Sequence, residues 1–172
     1  MSLANYKQVV LGAMRDVLAA AGFTKRGQLF SRGVSDVVHL VALQSSRSTT
    51  ESTLKATVNL AVWVPRLAEH GRSPDIWSAH WRRRLGDVMP GHSDCWWEIP
   101  TSCAAEVAAS EIGQAIRTYA LPEFDAIGSA AALAELWLRG QSPGLTGAQR
   151  ASFLTAVSDV RSNNALDQAR GR

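Results

Sequence analysis

The sequence predicts an α+β domain, in which a small antiparallel β-sheet of about four strands carries helices on one face and a helical extension follows at the C-terminus. Apolar residues recur at helical spacing at the start of the chain and again after residue 100. Between residues 28 and 64 the period changes to two. Three consecutive strands with short connections favour an antiparallel meander, and the order helix, meander, helices is typical of α+β proteins.

The first helix is predicted over Ala4–Ala21, because apolar and polar residues there separate onto two helical faces and Gly22 ends the pattern. Three strands follow in the prediction, at Gln28–Arg32, Val37–Ser45 and Leu54–Val64. The second of these is apolar on both faces, which indicates a central position in the sheet.

The strand Leu54–Val64 alternates between an apolar face and a more polar one. Its polar face carries Lys55, Thr57, Asn59, Ala61 and Trp63. If the polar loop Arg47–Ser52 closes a hairpin, Gln44 of the preceding strand lies near Lys55 on the same face. We therefore expect a half-solvated outer sheet face that presents amide, hydroxyl and indole groups.

A helix is predicted to begin at Ser73, since a serine N-cap, a proline at the first helical position and an acidic residue in the first turn follow one another there. Trp77, Trp81 and Leu85 would form its buried stripe, and Gly86 would end it. This arrangement leaves the neighbouring arginines on the solvated sides of the helix.

The remaining elements are predicted in the order strand, helix, break and two shorter helices. The strand covers Cys95–Ile99, the long helix Ala104–Tyr119 and the break Leu121–Asp125. The two shorter helices cover Ala130–Arg139 and Ala148–Val160. Thr146 and Gln149 have capping-box spacing at the start of the last helix.

Length and composition bound the domain organisation and the compartment. A chain of 172 residues with 46% hydrophobic residues is long enough for a self-sufficient core and excludes a disordered chain. The linker-like stretch at 140–147 divides it into a domain at residues 1–140 and a C-terminal helical extension at residues 141–172.

Charge and cysteine content place the chain among mildly basic proteins of a reducing compartment. The net charge is +3, and the two cysteines lack CxxC spacing. Residues 1–20 do not resemble a signal peptide, and no apolar run approaches the ~18 residues that span a bilayer. We therefore expect a cytoplasmic protein without membrane contact, with both cysteines reduced.

The chain resembles the bacterial family designated domain of unknown function 4304 over roughly residues 4–140. The matching features, in chain order, are Gly22-Phe23, Phe30 with Arg32, Leu43-Gln44-Ser45-Ser46, Thr57-Val58-Asn59-Leu60, Arg84-Leu85-Gly86, Trp96-Trp97 and Leu121-Pro122. The resemblance implies an α+β domain with a small antiparallel sheet. It implies no reaction, cofactor or catalytic residue.

The densest polar cluster lies beside Trp96 and Trp97 and consists of His92, Asp94, Cys95 and Glu98. These residue types can bind zinc. A cysteine beside a histidine is also the combination that a nucleophile and its general base require. No pair has a recognised spacing, and strand alternation separates the side chains. The preferred interpretation is a loop that leads into an aromatic strand. A metal-dependent or cysteine-based enzyme centred on this segment is the alternative.

Two further features have a structural and a functional interpretation. The run Arg82, Arg83 and Arg84 next to tryptophans is compatible with weak nucleic-acid binding, but a solvated helix face is preferred. His39, which lies in an apolar strand, is expected to be a hydrogen-bonded core histidine.

The function that the sequence favours is a non-catalytic binding or interaction domain for a protein or a small polar ligand, without a cofactor. The expected binding residues are Gln44, Thr57, Asn59, Trp63, Trp96 and Trp97. An open sheet face with amide, hydroxyl and indole groups is suited to such a ligand. Catalytic residues are not expected.

Overall fold

The computed structural model describes residues 2–170, with side chains through residue 158. The helices are α1 Leu3–Ala20, α2 Leu85–Val88, α3 Ser102–Ala115, α4 Leu121–Ala126, α5 Ala130–Leu138 and α6 Gly147–Arg170. The strands are β1 Thr24–Arg26, β2 Leu29–Val34, β3 Val37–Ser45, β4 Leu54–Trp63, β5 Trp81–Arg84 and β6 Trp97–Ile99. No helix in this part of the chain is long and apolar enough to span a bilayer.

The sheet is antiparallel and is built around β4. The strands run in the order β1-β2-β3-β4-β5, and β6 also pairs with β4. The two short strands β5 and β6 contact different parts of β4, at residues 59–62 and 54–56. On β3, Gln44 lies opposite Thr57 and Ala42 lies opposite Asn59. The α+β class is confirmed, and the described chain has six strands where about four were expected.

The predicted strands at Val37–Ser45 and Leu54–Val64 are confirmed as β3 and β4. The strand at Gln28–Arg32 corresponds to β2, which begins at Leu29 and continues two residues further, to Val34. The additional strands are β1 and β5. Both are short, three and four residues, so a periodicity of two is hard to detect in them.

The predicted helix from Ser73 to Gly86 is wrong. Residues 74–80 are irregular, and Trp81 begins β5, which continues the sheet beyond β4. Helical capping signals are short-range, whereas β5 supplies hydrogen-bond partners to β4, which would otherwise have an open edge here. Trp77 is consequently 62% exposed instead of facing the core, whereas Trp81 is buried.

The predicted break at Leu121–Asp125 is also wrong. After α3, one π-helical turn at Ile116–Ala120 leads directly into α4. Pro122 lies in the first turn of α4, where its missing N–H is tolerated. The predicted long helix therefore ends in a wider turn and the chain remains helical to Ala126.

Most of the core lies between the helices and one face of the sheet, as expected. Side chains from α1, α3, α4 and α5 pack there on the inward residues of the strands. Fully buried examples are Met14, Phe30, Leu60, Ile112, Phe124 and Trp137. This layer fixes the sheet and leaves its opposite face for the segment that follows β4.

The outer sheet face is covered, so the expectation of a half-solvated face is wrong at its centre. The irregular residues 74–80, which we call the covering segment, pack Ile76 and Ala79 against Leu40, Ala61 and Trp63 of the sheet. Thr57 and Asn59 on the same face are also buried. Covering this face lets apolar side chains leave water, and only its margins remain open.

The C-terminal helix packs against the domain. Val157 is buried in the main core, and the ring of Phe153 lies 4.8 Å from that of His80. The capping box at the start of α6 is confirmed, because Thr146 N–H donates to Gln149 Oε1 at 2.9 Å. The linker before this helix contacts β5, where Arg82 N–H donates to the Pro143 carbonyl at 3.2 Å.

Candidate functional site

Two neighbouring cavities on the outer sheet face form a groove. Their volumes are about 480 Å³ and about 310 Å³. Both are lined by Asn59 of the sheet and by Ile76 and Trp77 of the covering segment. We call this pair of cavities the amide groove, after the side chains described next. Its larger cavity has the volume that small-molecule and short-peptide sites usually have.

A pair of amides lies in the amide groove. Asn59 Nδ2 donates to Gln44 Oε1 at 2.9 Å, across the register of β3 and β4. This bond orients both amides, and it leaves the Gln44 amide nitrogen with donors that the Asn59 bond does not use. Gln44 is half-buried and Asn59 is 7% exposed. The sheet therefore supplies a fixed hydrogen-bonding surface that borders the larger cavity.

Trp77 stands over the amide groove as its exposed aromatic wall, 62% exposed. Arg82 of β5 holds the backbone of this wall, because its Nη1 donates to the Trp77 carbonyl at 2.9 Å. The same guanidinium donates from Nη2 to the Gly144 carbonyl at 2.5 Å. Gly144 has φ +82°, and a Cβ at this position would lie 2.8 Å from Arg82 Nε. A glycine is thus required where the linker crosses the arginine.

The smaller cavity contains an ion pair between Arg84 and Asp94. Asp94 Oδ2 also accepts a hydrogen bond from the Trp96 indole N–H at 2.9 Å. The Arg84 guanidinium lies 5.0 Å from the centre of the Trp96 ring. The hydrogen bond from Trp96, and after it the contact with Arg84, lower the pKa of Asp94. The Asp94 carboxylate is therefore ionised at neutral pH, and it is already bound by Trp96 and Arg84.

The backbone at Gly86 approaches the loop at residues 93–95 closely, and this contact positions the Arg84–Asp94 pair. A Cβ on Gly86 would lie 2.1 Å from the Ser93 carbonyl oxygen and 2.7 Å from the Cys95 nitrogen. Only a glycine permits this contact, which brings Asp94 beside Arg84. Thr57 Oγ1 fastens the same loop from the sheet, donating to the Cys95 carbonyl at 2.8 Å.

The six expected binding residues do not form one surface. Gln44 and Asn59 line the amide groove. Trp96 contacts Asp94 and Arg84 at its margin. Thr57 is fully buried, and its hydroxyl serves the loop. Trp63 is 6% exposed, because the covering segment packs over it on the outer sheet face.

Trp97 lies on the opposite side of the sheet from Trp96. Its ring is 8% exposed and belongs to the main core. Its indole N–H donates to Glu111 Oε2 of α3 at 3.0 Å. The tryptophan pair therefore divides between the two faces, as strand alternation predicts.

The polar segment at 92–98 does not gather a metal site. His92 Nδ1 lies 2.7 Å from the Asp87 carbonyl oxygen, and Glu98 pairs with Lys55 at 3.0 Å. Burial and nearby carboxylates raise the pKa of Cys95, which keeps the thiol protonated. No group of three histidine, cysteine, aspartate or glutamate side chains within the described residues is placed to hold a metal ion.

The arginine run has partners inside the protein. Arg82 contacts two backbone carbonyls, Arg84 pairs with Asp94, and the Arg83 guanidinium lies 5.8 Å from the ring centre of Trp81. The three residues lie on a strand, so they point alternately to the two faces of the sheet. They do not form a continuous basic stripe.

Two buried histidines have structural contacts. His39 is confirmed as a hydrogen-bonded core residue: its Nε2 lies 2.9 Å from the Ile127 carbonyl oxygen, and its Nδ1 lies 3.2 Å from Arg32 Nη2. His80 Nδ1 accepts a hydrogen bond from Val64 N–H at 3.0 Å. Burial lowers the pKa of both rings, so both are neutral at pH 7.

The part of the groove that depends on the covering segment was not predicted from the sequence. The helix expected there places Trp77 on a stripe facing the core, and Lys7 and Arg26, which line the larger cavity, are not among the expected binding residues. The four-residue spacing between Trp77 and Trp81 does not distinguish a helix from an irregular segment that leads into a strand. The exposed position of Trp77 has no sequence signal.

Comparison with known proteins identifies the domain. No curated protein and no solved structure matches the chain. The model of one family, described as a domain of unknown function, DUF4304, matches residues 14–126. This range contains Gln44, Asn59, Trp77, Arg84 and Gly86, and it ends with α4. The chain belongs to the DUF4304 family of domains of unknown function.

Proposed function

We propose that this chain is a non-catalytic binding domain that holds a small polar ligand in the amide groove. The observation that carries the proposal is the combination of an oriented Gln44–Asn59 amide pair with the exposed indole of Trp77 beside one cavity of about 480 Å³. Amides supply directional hydrogen bonds, and an exposed indole supplies a large apolar contact at low entropic cost. Such pairs of groups are suited to ligands with a flat apolar body and polar substituents.

The groups that would support an enzyme have other roles. The Cys95 thiol has a raised pKa, and the two buried histidines are held by backbone groups. The Asp94 carboxylate is paired with Arg84. A general base or nucleophile needs a free lone pair near a substrate, and these side chains are committed to the fold. Binding is therefore the better-supported activity.

We further propose that the domain acts in a bacterial cytoplasm. Cys95 and Cys103 are both unpaired thiols. Free cysteines are typical of reducing compartments, where disulfides do not persist. This part of the proposal is tested by locating a tagged full-length chain by cell fractionation. Its recovery outside the cytoplasm would contradict it.

The binding proposal is tested by ligand-detected NMR with a library of soluble ring compounds that carry amide or carboxyl groups. Trp77→Ala removes the exposed ring without touching the core, and Leu138→Ala is the matched control because Leu138 is 68% exposed and outside the groove. Compounds should bind the wild type and Leu138→Ala equally and lose about tenfold in affinity for Trp77→Ala. If the compounds bind all three proteins equally, or none of them binds, the proposal is wrong.

A further inference from the structure

Some charged side chains of the amide groove are bound by other groups of the protein, and others are not. The larger cavity is lined by Lys7 of α1 and Arg26 of β1, together with Asp75 of the covering segment. Its neighbour is lined by Asp87 and Asp94 and by the three arginines of β5. A ligand can use only those charges that the protein has not already paired.

The acidic groups of the groove are occupied by donors of the protein itself. Asp75 Oδ2 accepts the Ser78 N–H at 3.1 Å, and Asp87 Oδ2 accepts the Arg84 N–H at 2.8 Å. Asp94 is paired with Arg84 and with the Trp96 indole. A carboxylate that is already held by donors offers little to a cationic ligand.

The basic groups of the larger cavity lack such partners. Throughout the described residues, no acidic side chain lies within ion-pair distance of Lys7 or Arg26. Lys7 is half-buried and Arg26 is exposed. The donors of the Gln44 amide nitrogen lie beside the same cavity. Ammonium, guanidinium and amide N–H groups are all donors, and together they favour a ligand with anionic oxygen.

We infer that the larger cavity selects anions, namely compounds in which a planar ring system carries a carboxylate or phosphate group through a short saturated linker. Lys7, Arg26 and Gln44 would hold the anionic oxygens, and the ring would lie against Trp77. This inference rests on the proposed function, since it names the ligand class of the same groove. It also predicts that the charge of a ligand, at constant ring size, decides its affinity.

Matched pairs of probes separate charge from shape. Indole-3-acetate is compared with the neutral indole-3-acetamide, and adenosine 5′-monophosphate with adenosine, by calorimetric titration of the full chain. We expect the anion of at least one pair to bind about tenfold more tightly than its neutral partner, because two unpaired cations each contribute about threefold to fivefold. The pair that shows the difference identifies the anionic group as carboxylate or phosphate.

Three variants locate the effect. Lys7→Gln and Arg26→Gln should each weaken the anion about threefold to fivefold and leave the neutral partner unchanged. Lys25→Gln is the control, because Lys25 neighbours Arg26 in β1 and contacts Phe30 instead of the cavity. All three positions lie outside the core, so the variants should fold.

The outcomes distinguish this inference from the function on which it rests. If neutral and anionic partners bind equally and Trp77→Ala abolishes both, the groove binds ligands without selecting anions, and the inference is wrong. The inference also fails if Lys25→Gln weakens the anion as much as Arg26→Gln does, or if no probe binds. The proposed function itself fails through a different result: every library compound then binds Trp77→Ala with the same affinity as the wild type.

Discussion

Replacing Gly86 with alanine should destabilise the fold at the corner that holds Asp94 beside Arg84. The added Cβ would lie 2.1 Å from the Ser93 oxygen, 2.7 Å from the Cys95 nitrogen and 2.9 Å from the Cys95 Cβ. The first two atoms belong to the backbone, so relief requires the loop at residues 93–95 to move away from Gly86 in α2. Steric overpacking of this kind costs about 3 kcal/mol.

The measurement is urea and thermal unfolding followed by circular dichroism. For a chain of this length, about 3 kcal/mol corresponds to a fall in Tm of about 6–12 °C. Gly12→Ala is the control: Gly12 is inside α1 and has nothing within 4 Å of its Cβ position, so alanine there should stabilise by about 0.5–1 kcal/mol. A Gly86→Ala protein as stable as the wild type would refute the steric reasoning.

Three further predictions concern the buried polar groups and the C-terminal helix. Thr57→Val leaves the partly buried Cys95 carbonyl without its donor and should cost about 1–2 kcal/mol in urea unfolding, whereas Thr155→Val, at an exposed position of α6, should cost less than about 0.5 kcal/mol. Burial lowers the pKa of His39 and His80 below the ordinary value of 6.5, so the unfolded state takes up protons first as the pH falls. Unfolding free energy should therefore decline below pH 6.5, and replacing either histidine with Gln should reduce that slope; an unchanged slope would contradict the assignment. Phe153→Ala removes the ring that packs on His80 and should cost about 2 kcal/mol, while an unaffected midpoint would show that this ring contact adds no stability.

The strongest local patterns predicted the fold well. β3 and β4 have many β-branched residues and a long alternation, and both were predicted nearly to the residue. The first helix and the capping box of α6 were likewise predicted from short-range signals. These elements have enough residues for periodicity to be read without knowledge of their neighbours.

Elements that depend on a distant partner were not predictable in the same way. Trp81–Arg84 becomes a strand because β4 offers an edge, although Ser73 and Pro74 resemble the start of a helix. Pro122 resembles a break, but the π turn before it lets the helix continue. In the first case the pairing with β4 outweighs a local capping preference that is worth only about 1 kcal/mol. In the second case Pro122 lies in the first turn of α4, where its missing N–H is tolerated.

The candidate site was predicted only in part, because it too depends on contacts between distant parts of the chain. The predicted hairpin, together with alternation on β4, placed Gln44 and Asn59 on one face, where they meet. It could not show that an irregular segment covers Trp63, that Thr57 binds the loop at Cys95, or that Trp77 would be left exposed. Burial of an outer sheet face depends on a loop whose position has no periodic signal.

The side-chain amide resonances of Gln44 and Asn59 provide the most direct test of binding in the amide groove. They would be followed by ¹H–¹⁵N NMR while indole-3-acetate and, in a second titration, adenosine 5′-monophosphate are added to the wild type, to Trp77→Ala and to Leu138→Ala, and the anion that binds more tightly is compared among the three proteins. We predict saturable shifts of both amides in the wild type and in Leu138→Ala, and a loss of about tenfold in affinity in Trp77→Ala. Amide resonances that do not move, or that move equally in Trp77→Ala, would contradict a ligand site in this groove.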